Sequence, residues 1–179
     1  ILEQFLLDFQ YTTQKIRNSP IPIIASVHGL CLGGGCEFSL AAHERVVSSE
    51  ARVGLVESGV GLVPSGGGIL HRVERIAAGS DLLDEFKILF LGMPSQNAFS
   101  ARKSGYLLEE DVIQIGSQNP LAKAIKKSSL VKEPDTSRTS ASLVKVMGET
   151  GFDMIIKWLE NQFEDKVITE HDMIVGRAI

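Results

Sequence analysis

Ile21-Pro22-Ile23-Ile24-Ala25-Ser26-Val27-His28-Gly29-Leu30-Cys31-Leu32-Gly33-Gly34-Gly35-Cys36-Glu37 decides the fold. An apolar, β-branched run ends at a Gly turn, and a triple glycine then feeds an apolar helical pattern. That order predicts a buried strand running into a helix whose first turn is stripped of side chains. Backbone N–H groups at such a helix start lack intrahelical acceptors and carry the positive end of the helix dipole. The ligand expected at residues 33–35 is therefore an oxygen bearing negative charge. A second glycine-rich block follows, with its Glu57 twenty residues beyond Glu37: Leu55-Val56-Glu57-Ser58-Gly59-Val60-Gly61-Leu62-Val63-Pro64-Ser65-Gly66-Gly67-Gly68.

Outward from these blocks the pattern alternates. Leu2, Phe5, Leu6, Phe9 and Ile16 share one face of a helix that Ser19, Pro20 and Pro22 stop. Residues 23–27 read as a strand apolar on both faces, 34–42 as a helix, and 45–48 and 52–54 as strands. Pro64 and the glycines 66–68 open another helix, with Ile69, Leu70, Val73, Ile76 and Ala77 inward and Gly79 closing it. Residues 81–91 and 98–104 read as helices, and Tyr106, Leu107 and Leu108 as a strand. From 116 to 140 the composition shifts to Ser, Lys, Thr and Pro, which reads as a linker or partly disordered excursion. Leu143, Val146 and Met147 then begin a helix that Phe152, Ile155, Ile156, Leu159 and Phe163 continue as an apolar stripe. Thr169 to Asp172 has the form of a capping box for a last helix.

The 179 residues suffice for one domain with a core, and 44% hydrophobic with 22% charged content is ordinary for a soluble protein. A net charge of −4 gives no reason to expect nucleic acid or an anionic membrane as partner. No apolar run approaches the roughly 20 residues of a membrane span, and the acid-bearing residues 1–10 lack the basic start of a signal peptide. Cys31 and Cys36, in an apolar setting, fit a reducing compartment, so a cytoplasmic location is expected. The chain opens without Met inside one helix and stops inside another, and so reads as a portion of a longer protein.

Glu37 follows Gly34 by three residues, which places its carboxylate on the side of the Gly34 N–H. Its bland reading is a dipole or capping partner in the first helical turn. Glu57 lies in a Gly-flanked loop among Leu55, Val56, Val60 and Leu62, where burial without a partner is expensive, and its bland reading is a solvated loop carboxylate. Two glutamates facing one oxyanion site are what proton transfer at the α and β carbons of a thioester requires, one acid giving a proton while the other takes one. Crowded together in an apolar pocket, two carboxyls separate their titrations. The spacing His28-x2-Cys31-x4-Cys36-x6-His43 superficially resembles a zinc site, but structural cysteines and a turn histidine account for it. Neither glycine triplet is followed by Gly-Lys-Ser/Thr, and no Gly-x-Gly-x-x-Gly fingerprint is present. His71 and His171 read as surface groups, and Trp158 as core or oligomer packing.

Residues 24–37, the Gly54-Leu55-Val56-Glu57 block with Gly61-Leu62-Val63-Pro64, and Ser100-Ala101-Arg102-Lys103-Ser104-Gly105-Tyr106-Leu107 together resemble the crotonase (enoyl-CoA hydratase/isomerase) superfamily. The Leu-Val-Glu-x-Gly-Val-Gly-Leu wording and Ile168-Thr169-Glu170-His171-Asp172 further resemble the hydratase-like C-terminal region of long bacterial 3-hydroxyacyl-CoA dehydrogenases. That match covers the chain except around residues 113–140, where the family region is longer. The resemblance implies an α/β crotonase-like fold, a spiral of ββα units present in part and followed by a C-terminal helical region. Residues 1–116 would be the C-terminal portion of the crotonase-like core, and 117–179 the linker and helices.

By matching position, Gly34 would give one oxyanion-hole N–H, Glu37 would bind and deprotonate water, and Glu57 would protonate the α carbon. Gly33, Val56 and Ser65 would touch substrate; Val56 stands where a Pro often precedes the second Glu, and Ser65 where a Gly is usual. Having both acids points to hydration of a trans-2-enoyl-CoA to the 3-hydroxyacyl-CoA in fatty acid β-oxidation, since many isomerases keep only the second. The implied partners are an acyl-CoA thioester substrate and further copies of the chain in a homo-oligomer. No metal and no cofactor are expected in this region, NAD entering only with a dehydrogenase domain ahead of it. The family places its other oxyanion-hole N–H and much of its CoA adenine pocket ahead of Ile1, so these residues alone are expected to be a weak catalyst. The rivals are an enoyl-CoA isomerase and a non-catalytic acyl-CoA-binding or assembly module.

Overall fold

The computed structural model describes residues 1–75, 81–116, 119–130 and 148–179. The first helix, α1 (Leu2–Arg17), lies on the surface, with Thr13 its only buried residue. Strands β1 (Ile24–Val27) and β2 (Leu30–Leu32) follow, separated by Gly29 at φ +62°, and lead into α2 (Gly34–Ala41). The motif then repeats: β3 (Glu44–Ser48) and β4 (Arg52–Gly54) run parallel to β1 and β2 one turn further along the spiral. Val27 sits opposite Val47, and Cys31 opposite Val53. This is the ββα spiral that the family resemblance implies, with β2 a strand that the residue pattern did not separate from the glycine turn.

A 3-10 turn (Glu57–Val60) leads to α3 (Gly68–Arg75), α4 (Leu82–Phe90) and α5 (Ala98–Lys103). Strand β5 (Val112–Gln114) completes a three-stranded parallel sheet of order β1-β3-β5. Among the described residues three helices follow: α6 (Pro120–Ser128), α7 (Gly148–Glu164) and α8 (Glu170–Ala178). None of the helices among the described residues is long and apolar enough to cross a membrane.

One core lies between the spiral and its helices, where Cys36, Leu40, Val47, Val53, Leu55 and Tyr106 are buried. Burying each large apolar side chain there contributes about 1.5–3 kcal/mol. A smaller cluster packs Phe86 and Phe90 of α4 against Leu159 of α7, with Trp158 set edge-on to both rings. Between the layers Arg45 and Asp111 form an ion pair of 2.7 Å with neither side chain exposed.

Several expectations need correction. Tyr106, Leu107 and Leu108 form a bend rather than a strand, because Tyr106 N–H and Leu107 N–H both turn back to the Ala101 carbonyl. The segment read as a linker holds α6 over residues 120–128. Asn119 caps it by accepting from Leu121 N–H, Pro120 sits at its start, and it packs on β1 and β3. The inward face of α3 carries His71 and Arg72, both buried, while Leu70 is half exposed. His71 is therefore not a surface group: burial holds its ring neutral, and Arg17, itself paired with Glu74, meets its Nδ1 at 3.2 Å. In the α7 stripe Leu159 is buried but Phe152 and Phe163 are exposed. Ile76, Ala77, Gly79, Leu143, Val146 and Met147 lie outside the described residues. The expected Thr169–Asp172 capping box is present.

Candidate active site

The site is built where β2 meets α2. Gly33 N–H donates to the Gly54 carbonyl at 3.0 Å, extending the β2–β4 ladder by one residue. The chain then turns at Gly33 with φ +55° and ψ −131°, a conformation that only glycine adopts readily. A Cβ there would also stand 3.4 Å from Glu57 Oε1. Gly34 opens the helix, so its N–H has no intrahelical acceptor.

Glu37 is 1% exposed on the buried side of α2. Its Oε1 accepts from Gly68 N–H at 2.9 Å rather than from an amide at the start of its own helix, so it is not a capping group. Burial pushes its carboxyl up to about 7; the Gly68 and Gly66 amides pull it back, and the Glu57 charge adds to the rise.

Glu57 begins the 3-10 turn, which Ser58 Oγ ties to α4 through the Leu89 carbonyl at 2.8 Å. Both carboxylate oxygens of Glu57 are buried, and neither has a hydrogen-bond partner among the described residues. Desolvation raises its pKa against weaker pulls from its own and the Val56 backbone. The solvated-loop reading of Glu57 therefore does not hold. Tyr106 Oη accepts from Leu55 N–H at 3.3 Å and so fixes the strand end that leads into the turn.

Glu37, Glu57 and Gly34 line one cleft of about 590 Å³ together with Ser65. The two carboxyls predicted from separate glycine-rich blocks thus converge on a site floored by a helix start. Of the residues expected to touch substrate, neither Gly33 nor Val56 lines this cleft; Val56 Cγ2 packs beside Gly33 instead, 3.8 Å from where a Cβ would be. The residues of the superficial zinc spacing are dispersed. Cys36 is in the core, His43 Nδ1 accepts from Ile23 N–H, and His28 is exposed; among the described residues no three His, Cys, Asp or Glu side chains are gathered to hold a metal.

Reading the sequence missed the far wall. Phe5, Leu6 and Phe9 of α1 face the cleft, and Leu62 and Val63 close it from the other side. The Phe9 ring rests in a notch between glycines: a Cβ on Gly34 would meet it at 3.2 Å and one on Gly66 at 2.2 Å. The periodicity of α1 showed an apolar face, but nothing in it named the surface that face covers. Gly68, the donor to Glu37, was read only as a helix opener.

A family model described as enoyl-CoA hydratase/isomerase matches residues 3–99. The chain is 32% identical over 176 residues to a protein of Bacillus subtilis (strain 168) described as a probable 3-hydroxyacyl-CoA dehydrogenase, covering 96% of this chain and 22% of that protein. A probable enoyl-CoA hydratase of the same organism is 44% identical over 46 residues, 26% of this chain and 18% of the relative. This chain thus spans about a fifth of the length of both curated relatives. Among solved structures, an enoyl-CoA hydratase from Polaromonas sp. JS666 is similar at 26% identity and TM-score 0.58, over 70% of this chain and 45% of its own. The fold is shared with an enoyl-CoA hydratase from Bacillus anthracis at 23% identity and TM-score 0.63, over 94% of this chain and 63% of that one.

Proposed function

The chain belongs to the enoyl-CoA hydratase/isomerase family, and on that premise we propose that the Glu37–Glu57 cleft adds water across the double bond of a trans-2-enoyl-CoA. The observation that carries this reading is the convergence of two buried carboxyls of raised pKa on one cleft at the start of α2.

In the proposed reaction Glu37 takes a proton from water as its oxygen bonds to the β carbon. The π electrons of the double bond move toward the thioester, and the enolate oxygen is held by Gly34 N–H. Losing one such donor typically costs about 2.7–4 kcal/mol of barrier. Glu57, in its protonated form, then delivers a proton to the α carbon, giving the 3-hydroxyacyl-CoA. The pair holds one proton before and after the addition, so the cleft needs one neutral and one ionised carboxyl near pH 7. Burial supplies that condition. Ser65 lines the substrate side of the cleft, Gly33 makes the turn that presents Gly34, and the α1 wall takes the acyl chain.

The similarity to a probable 3-hydroxyacyl-CoA dehydrogenase supports a place for these residues in a longer protein that oxidises the hydrated product with NAD, as in fatty acid β-oxidation. The test is to mix the full-length protein with a trans-2-enoyl-CoA and follow loss of the conjugated enoyl thioester absorbance. Turnover that Glu57→Gln abolishes without loss of thioester affinity is the expected result. Consumption of a 3-enoyl-CoA with the 2-enoyl-CoA left untouched would make it an isomerase. Tight thioester binding with no turnover of either would make it a binding module.

A further inference from the structure

A polar seam runs along α1 at Gln10, Thr13 and Arg17, spacings of three and four that share one helix face. Gln10 and Thr13 reach the segment that opens α3, and Arg17 reaches α3 itself. Gln10 Nε2 donates to the Ser65 carbonyl at 2.7 Å, and Thr13 Oγ1 to the Gly66 carbonyl at 2.5 Å. Arg17 makes a two-pronged pair with Glu74 at 2.5 and 2.6 Å and meets His71 Nδ1 at 3.2 Å. Thr13 is 2% exposed, so its hydroxyl is held in a dry contact where a misplaced partner is costly.

The held segment is also the one that presents main-chain amides to Glu37. Gly68 N–H donates to Glu37 Oε1, and the Gly66 amide faces the same carboxyl. We infer that Thr13 is a positioning residue for the proposed reaction: by anchoring the Gly66 carbonyl to α1 it holds the 66–68 turn against the Glu37 carboxylate and thereby sets that group's basicity. The inference rests on the hydratase reading for its kinetic consequence, but not for its structural one.

Glu57 on the 3-10 turn and Asp8 on α1 line the same cleft as Glu37. Further titratable or charged groups of the elements around it are Cys36 on α2, which burial keeps as the thiol, Arg17 on α1, and His71, Arg72, Glu74 and Arg75 on α3, of which His71 is held neutral by burial. Thr13→Val alters none of these charges. Removing the hydroxyl loosens the amides that favour the ionised carboxyl, so the Glu37 pKa rises. If Glu37 must be ionised to accept the water proton, the acid limb of the kcat/KM profile moves to higher pH with it.

The experiment uses the full-length protein and two readouts: the pH profile of hydration, and a carbon-13 carboxyl titration that needs no activity. Thr13→Val should raise both the Glu37 titration and the acid limb by about half a pH unit, about threefold in apparent acidity constant, while Thr13→Ser stays at the wild-type position. A merely structural threonine would lower the melting temperature and leave both midpoints in place, and that result overturns the inference. Should Thr13→Val not fold, Gln10→Ala at the exposed end of the seam carries the test with a smaller shift of the same sign, and an unmoved Glu37 midpoint there overturns it equally. A wild-type protein without turnover would sink the hydratase reading alone, because the titration still decides the role of Thr13.

Discussion

Among the buried charged groups of the described residues, two clusters are treated in opposite ways. At the back of β3, Asp111 accepts from Arg45 N–H, Arg45 Nε and Leu108 N–H at 2.7–2.9 Å, while Arg45 Nη1 donates to the Ser39 and Ala42 carbonyls and only Nη2 of that guanidinium is left without a partner among the described residues. At the start of α2, two carboxyls share a cleft with a single hydrogen bond of sound geometry to them among the described residues. A buried charge that serves the fold is surrounded by donors and acceptors, because leaving it unpaired costs several kcal/mol. Carboxyls left short of donors in a dry cleft keep raised pKa values, which is the condition proton transfer near neutral pH requires. The contrast separates scaffold from site without reference to any relative.

The comparison can be broken from either side. The largest effect is expected at Glu57: replacing it by Gln should cut hydration by about 10²–10⁴-fold, the usual worth of a general acid or base, with the melting temperature unchanged or raised. Activity within a factor of a few of wild type would place the chemistry elsewhere. Asp111→Ala should do the reverse, costing about 3–5 kcal/mol in urea unfolding by stranding Arg45 in the core, with KM preserved wherever the protein remains folded. Wild-type unfolding midpoints in that variant would mean that the scaffold cluster is not what it looks like.

A third, smaller effect concerns pH. Glu37 has a folded pKa of about 7 against an ordinary 4.5. Its ionisation therefore opposes folding, with no cost below the unfolded value and the full cost above the folded one. Glu37→Gln should thus stabilise the protein at pH 8 by about 2–3 kcal/mol, an upper bound from the shift, and the gain should fade as pH falls toward 4. An equal gain at both pH values would show that the carboxyl is not strained by burial. The smallest effect lies outside both clusters. Thr169→Ala removes the capping hydroxyl of α8 and should cost about 1 kcal/mol without touching activity or its pH profile. A change in the pH profile there would tie α8 to the cleft by way of the 2.8 Å contact between His171 and the Gly61 carbonyl, one residue before Leu62 of the cleft lining.

Most of the spiral was legible because its signals are local. A β-branched run, a glycine turn and a helical pattern fix β1, α2 and the position of Glu37, and 20 residues later a like block fixes Glu57. What escaped depends on contacts distant in sequence. His71 looks like a surface residue on α3 until Arg17, 54 residues earlier, is seen against its Nδ1. Phe9 reads as one apolar position among several until Gly34 and Gly66 are seen to make room for its ring. The helix α6 was hidden by composition, since Ser and Lys dominate its surroundings while only Pro120 and Ala124 are buried. The strand at 106–108 failed because an apolar triplet carries no period long enough to tell a strand from a buried bend.

The central claim is that the cleft holds one proton between two glutamates near neutral pH. Carbon-13 carboxyl titration of the full-length protein measures this directly. The account predicts that Glu37 titrates near pH 7, and that in Glu57→Gln its midpoint falls yet stays above 4.5, because burial remains after the neighbouring charge is gone. Two carboxyls both titrating near 4.5, each indifferent to loss of the other, would contradict it.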